Sequence, residues 1–307
     1  MMGVAPRTAA FELRRLRCSH VSRRRREPRA EPGAAGNAAA YPRTMAEVVV
    51  GGVRIAYRRH GSGAPLVLFH GAFEDSRIWA GELERLSPYV DVVAWDAPGC
   101  GASDDVPRGW NDADWADAAS GFITAVGLNA PAVAGLSFGS MIALLLARDH
   151  PDSAGTLVLI GAYAGWAGSL DPDRLAQRIA SMRFTMEHPA DEWADGFLDS
   201  VFAPDAPPER REHARSLIDD WRPATTAALL EVMVQDLRPG LPRIGTATVV
   251  VRGARDARSP RSASLELCEL LPHARFVEIA GAGHDCTGPE LDSLLIASAR
   301  DARAGGC

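Results

Sequence analysis

Gly135-Leu136-Ser137-Phe138-Gly139 decides the fold. It follows the apolar run Pro131-Ala132-Val133-Ala134 and opens onto Ser140-Met141-Ile142-Ala143-Leu144-Leu145-Leu146-Ala147-Arg148, so a single serine stands where a buried strand turns sharply into a helix. That is the setting of a nucleophile elbow. The turn forces the serine into strained φ/ψ and brings neighbouring backbone close, so Gly135 and Gly139 are required where a Cβ would clash. A G-x-S-x-G pentapeptide occurs by chance in many chains; the strand before it and the apolar helix after it give this one its meaning.

Working outward, Pro65-Leu66-Val67-Leu68-Phe69 ends in His70-Gly71-Ala72-Phe73, and Val90-Asp91-Val92-Val93-Ala94-Trp95 ends in Asp96-Ala97-Pro98-Gly99-Cys100-Gly101. Both read as buried parallel strands followed by glycine-rich turns. Beyond the elbow come strands over 156–160, 246–252 and 275–280. The last two run into Gly253-Ala254-Arg255-Asp256 and Gly281-Ala282-Gly283-His284. Ser137, Asp256 and His284 therefore appear in that chain order, each just past the carboxyl end of a strand, where open parallel sheets gather their reacting groups. Asp285 also offers a carboxylate but, adjacent to His284, it is the poorer orienter of that ring.

Together these motifs resemble the α/β-hydrolase superfamily, which includes esterases, lactonases, carbon–carbon bond hydrolases and cofactor-free haloperoxidases. The resemblance covers roughly residues 46–300 and implies an α/β fold: a mostly parallel sheet flanked by helices, with a helical lid inserted after the sixth strand. It implies Ser137 as nucleophile, His284 as general base and Asp256 as the acid that orients it. The oxyanion hole falls to the backbone N–H groups of Ala72 and Phe138, with His70, Gly71, Gly135 and Gly139 in support. Chemistry asks for the same roles: a serine hydroxyl is a weak nucleophile until a base removes its proton, and an imidazole with an ordinary pKa of ~6.5 does this at neutral pH. His70 is expected to brace its loop and not to transfer protons. The D-x-P-G-x-G turn at 96–101 marks the fold more than the chemistry.

Residues 163–242 are too long for an ordinary connection and read as helices over 172–182, 190–201, 208–221 and 224–236. They make the expected lid, between core segments 45–162 and 243–307. Most of its apolar side chains are needed for packing, and those left over point to an apolar cleft for a small to medium substrate. Arg174, Arg178 and Arg183 are the lid cations that could reach a substrate carboxylate, although surface solvation is the commoner fate of arginine on such helices. Serine at the elbow argues against haloalkane dehalogenases and epoxide hydrolases, which carry aspartate there. The leading expectation is an enzyme that hydrolyses a carboxylic ester, lactone or thioester through an acyl-enzyme. Hydrolysis of a carbon–carbon bond in a vinylogous diketone, cofactor-free haloperoxidase or perhydrolase chemistry, and a ligand-binding protein that is not an enzyme are the alternatives.

At 307 residues and 47 % apolar content the chain can bury one large core. All 33 basic residues are arginine, a bias of coding more than of function. Ten of them stand in residues 1–44 against three acids, so the remainder is strongly negative, which disfavours a nucleic-acid partner. That leader is rich in Ala, Gly and Pro and reads as disordered, or as untranslated if the chain begins at Met45. No secretory h-region or long apolar run is seen, so no membrane partner is expected. Five scattered cysteines, Cys18, Cys100, Cys268, Cys286 and Cys307, without a C-x-x-C pair argue for a reducing, cytoplasmic setting. Neither metal-ligand spacing nor a phosphate-binding fingerprint occurs, so no cofactor is expected. The expected state is a monomer or homodimer acting on a small apolar ester-like substrate.

Overall fold

The computed structural model describes residues 45–305. The leader over 1–44, its expected disorder and its possible absence from the translated chain, together with Cys18 and Cys307, lie outside them.

An eight-stranded sheet has the order β1-β2-β4-β3-β5-β6-β7-β8. Strands β1 (Met45–Val50) and β2 (Val53–Gly61) form a hairpin around Gly51-Gly52, both of which adopt positive φ (57° and 85°). That is the two-residue turn whose twist matches paired strands. β2 then runs antiparallel to β4 (Val90–Trp95), and every later pairing is parallel. The parallel strands are β3 (Ala64–Phe69), β4, β5 (Ala132–Leu136), β6 (Thr156–Ile160), β7 (Ala247–Gly253) and β8 (Ala274–Ile279).

Every residue of β4, β5 and β6 is buried, which requires cover on both faces. Helices α1 (Ala80–Leu86) and α10 (Pro289–Gly305) form one layer; α2 (Asp112–Ala125) and α3 (Phe138–Asp149) form the other. α2 begins at a capping box in which Asn111 and Asp114 satisfy each other's backbone N–H groups. Ten of the twelve residues of α3 are buried, so the elbow helix is held deep in the molecule. Phe69, Trp95 and Phe122 stack through the centre, with ring centroids 4.3 Å and 5.6 Å apart along the chain of contacts.

Between β6 and β7 run α4 (Trp166–Ser169), α5 (Pro172–Glu187), α6 (Ala194–Val201), α7 (Pro208–Asp219) and α8 (Pro223–Met233). The four helices read from the sequence are present; α7 and α8 stop two and three residues short of their expected ends, at Asp219 and Met233, and the other two differ further. α5 continues one further turn, to Glu187. The stretch 190–201 is broken at Trp193 (φ −133°, ψ −22°) into a 3₁₀ turn over Ala190–Glu192 and α6. Tertiary contact accounts for that break. The Trp193 indole packs 4.9 Å from the ring of Phe73 in the β3 turn, and its N–H donates to the His188 carbonyl. α9 (Arg261–Leu270) closes the sheet over β7 and β8. No helix among the described residues is long and apolar enough to cross a membrane.

Candidate active site

The elbow has the strain its sequence demands. Ser137 sits at φ 51°, ψ −108°, outside the regions open to ordinary L-residues, and its N–H is held by the Ile160 carbonyl of the neighbouring strand at 2.8 Å. Side chains at the flanking glycines are forbidden: a Cβ on Gly135 would strike the Gly139 carbonyl, and one on Gly139 would strike the Phe69 carbonyl. The Ser140 hydroxyl donates to the Ser137 carbonyl at 2.6 Å and locks the turn from the helix side.

Asp256 and His284 meet across the ends of β7 and β8. His284 Nδ1 lies 2.9 Å from Asp256 Oδ2, and both side chains are almost wholly buried. A carboxylate only accepts, so Nδ1 carries the proton and Nε2 is left as the acceptor. Asp256 is saturated with donors. Oδ1 takes the N–H groups of Arg258 (2.7 Å) and Ser259 (2.9 Å), while Oδ2 takes the Ser259 hydroxyl (2.6 Å) as well as His284. Burial alone would raise this carboxyl; the charge and hydrogen bond of His284, with those of Ser259, overcome it and hold Asp256 well below the usual carboxylate range. The loop itself is clamped by buried Arg252, which donates to the carbonyls of Asp256 (2.9 Å) and Ser259 (3.2 Å).

His284 Nε2 is buried without a hydrogen-bond partner among the described residues. It faces a small inner cavity of about 20 Å³ that Ser137, Ala72 and Glu74 also line. Gly161, at the end of β6 (φ 56°), explains how the ring fits: a Cβ there would stand 2.7 Å from His284 Cε1. The His284 N–H is anchored to the Val201 carbonyl at 2.7 Å, tying this loop to α6. Asp285 turns away from the ring to pair with Arg210 at 2.5 Å, as its adjacency to His284 suggested.

On the opposite wall stands the His70-Gly71-Ala72-Phe73 turn. His70 Nδ1 donates to the Gly71 carbonyl (2.8 Å), and Nε2 accepts the Ala97 N–H (3.0 Å). With both nitrogens so committed the ring is neutral, and burial lowers its pKa further. This geometry braces the turn and leaves no free nitrogen for proton transfer. Asp96 ties in the same region, accepting the Ser76 N–H (2.8 Å) and the Ala102 N–H (2.9 Å). Phe73 adopts positive φ (66°), a strained setting for an aromatic residue, and turns the chain directly after Ala72. Among the described residues, neither the Ala72 N–H nor the Phe138 N–H at the start of α3 donates to a protein acceptor.

Glu74, Gly161, Arg252, Arg258 and Ser259 do not stand out in the sequence. Glu74 accepts the Gly71 N–H at 2.8 Å, and burial, partly offset by that bond, pushes its carboxyl up to about 8. Only Ser259 had a local signal, since an Asp followed two to three residues later by its own backbone and hydroxyl donors is an Asx-type turn. Cys100 and Cys286 are buried, and burial pushes both thiols well above the ordinary range, as for inert packing residues. Among the described residues no group of three or more His, Cys, Asp or Glu side chains is arranged to hold a metal. Outside the inner cavity a larger one of about 850 Å³ opens beside α5 and α6, lined in part by Arg174 and Arg178; Arg183 is exposed and lies away from it.

Comparison with known proteins agrees with this architecture. The model of the alpha/beta hydrolase family matches residues 66–293. The chain is 29 % identical over 273 residues to polyketide synthase ThaQ of Burkholderia thailandensis, covering 83 % of this chain but only 13 % of ThaQ. It is 30 % identical to a 2-hydroxymuconate semialdehyde hydrolase of Pseudomonas putida, covering 79 % of this chain and 88 % of the relative. Identity is also 30 % to a pimeloyl-[acyl-carrier protein] methyl ester esterase of Xanthomonas oryzae pv. oryzae, over 73 % of this chain and 89 % of that one. With a family match spanning most of its length and a strained serine at the end of β5 in an eight-stranded sheet, the chain belongs to the alpha/beta hydrolase family and is a hydrolytic enzyme.

Proposed function

We propose that this enzyme is a serine hydrolase that cleaves a carboxylic ester, lactone or thioester of a small to medium apolar substrate through an acyl-enzyme. Ser137 Oγ attacks the carbonyl carbon while His284 Nε2 accepts its proton. The oxyanion forms against the N–H groups of Ala72 and Phe138, and one such donor is typically worth ~3 kcal/mol at the transition state. The imidazolium, stabilised by Asp256, then gives its proton to the departing alcohol or thiol. Water repeats the sequence and releases the acid.

The observation that carries this reading is the buried His284–Asp256 pair, whose remaining nitrogen faces the cavity shared with Ser137 and has no partner among the described residues. A base already committed to another donor would be useless; this one is oriented and unengaged. A series of 4-nitrophenyl esters of increasing acyl length tests it. Turnover falling off with the longest chains is the expected result, and no turnover of any member by folded protein would reject the proposal.

A second reading, hydrolysis of a carbon–carbon bond, is favoured by the similarity to 2-hydroxymuconate semialdehyde hydrolase. It would use the same three residues. A vinylogous diketone assayed beside the esters separates the two by which kcat/KM is larger.

A further inference from the structure

The inner and outer cavities share five lining residues, Phe73, Trp166, Met182, Phe197 and Arg258. Four are apolar. The fifth is a guanidinium that forms no ion pair with a carboxylate among the described residues, and Arg178, beside it, likewise forms none. Elsewhere in the core and at its edges the rule is pairing: Arg77 with Asp75, Arg85 with Glu82 and Asp292, Arg210 with Asp285, Arg252 with Glu278.

The two cations are nevertheless held in place. The Arg258 N–H is fixed by Asp256 Oδ1 at 2.7 Å, its Nη1 donates to the Ser200 hydroxyl at 2.6 Å, and its guanidinium lies 4.6 Å from the centre of the Phe197 ring. Arg178 Nη2 donates to the Arg258 carbonyl at 2.9 Å. These bonds leave Nε and Nη2 of Arg258, and Nε and Nη1 of Arg178, without a protein acceptor among the described residues. Two like charges side by side are costly away from bulk water, and burial together with Arg178 lowers Arg258 to about 10. Glu192 also lines the outer cavity but is exposed, and Arg174 there is already near Asp171 at 3.5 Å.

We infer that Arg178 and Arg258 form a carboxylate subsite, so that the substrate is an ester carrying a carboxylate at the end remote from the scissile carbonyl. A planar guanidinium presents two parallel N–H donors to the two oxygens of a carboxylate, and an anion seated there relieves the repulsion between the cations. The apolar partition of Phe73, Trp166, Met182 and Phe197 selects a hydrocarbon spacer between the two polar ends. This inference rests on the serine-hydrolase reading and revises its substrate, which is apolar only in the spacer between an ester and a carboxylate.

The test has a binding arm and a kinetic arm, both on the full chain. Octanoate, octanamide and octyl phosphate are titrated against the Ser137→Ala protein by calorimetry. Octanoate is expected to bind at least ~10-fold more tightly than octanamide, and Arg178→Gln or Arg258→Gln in the Ser137→Ala background is expected to abolish the difference. Equal binding of octanoate and octanamide overturns the subsite; tighter binding of octyl phosphate overturns its assignment to carboxylates. In the kinetic arm, the ratio of kcat/KM for the 4-nitrophenyl monoester of suberic acid to that for its methyl-capped neutral analogue is expected to fall at least ~10-fold in Arg178→Gln and to stay put in the exposed control Arg183→Gln. Arg178 carries the kinetic test because Arg258 also packs on Phe197 and its loss could unsettle the fold. An unchanged ratio in Arg178→Gln overturns the inference while leaving hydrolysis standing; no turnover of either ester by the parent protein fails the underlying reading instead.

Discussion

Glu74 is the residue whose surroundings most contradict its type. It is an acid in a glycine turn, yet it is buried, accepts the Gly71 N–H, and lines the cavity that holds Ser137 and His284. Since burial raises its carboxyl from 4.5 to about 8, the group is protonated in the folded chain at neutral pH but ionised in the unfolded one. Its contribution to stability is therefore complete below the unfolded value and is lost as pH climbs through the folded value. Glu74→Gln keeps an oxygen for Gly71 and removes the titration. The melting temperature of the parent should accordingly drop more between about pH 5 and about pH 8 than that of Glu74→Gln. Parallel curves for the two proteins would show that Glu74 is not held protonated. Nothing near Glu74 in the sequence announces this: a charged residue beside glycines reads as solvated, and its burial is created by packing from distant segments. Ser137, Asp256 and His284 are legible because each ends an apolar run in a glycine turn, a purely local signal. Arg258 is not, because what sets it apart is that its guanidinium makes no ion pair among the described residues, which only the fold decides.

At the scale of elements, the strands were readable almost to the residue. Buried parallel strands are short, mostly apolar runs, and β3 to β7 read that way despite Pro65, Asp91, Thr156, Thr248 and Arg252 within them. The helices between β6 and β7 were readable in number but not in their breaks, since Trp193 interrupts its helix to reach Phe73 on another element. The end of β6 shows what one glycine can decide. Gly161 has positive φ and lies against the His284 ring, so Gly161→Ala meets both backbone strain and a contact at 2.7 Å. Displacing a catalytic group by about an ångström costs on the order of 100-fold, and that loss in kcat with little change in KM is the expected outcome. A variant with parent-like kcat would mean that the imidazole tolerates displacement and that its position is not set by β6.

Across the whole molecule, the described sheet supplies three strand ends and the β6–β7 segment packs against the turns beyond them. Two contacts carry that packing: α6 accepts the His284 N–H through Val201, and Phe73 packs edge-on against Phe197 and Trp221 at 5.0 Å and 5.1 Å. The inner cavity of about 20 Å³ holds little more than one water. The serine-hydrolase account needs Ser137 to be activated within that enclosure. Its most direct test is fluorophosphonate labelling of the parent, Ser137→Ala and His284→Ala proteins, read by intact mass and by peptide mapping. The account predicts one adduct per parent chain, mapped to Ser137, absent in Ser137→Ala and formed at least ~10³-fold more slowly in His284→Ala. An adduct on another residue, or undiminished labelling in His284→Ala, would contradict it.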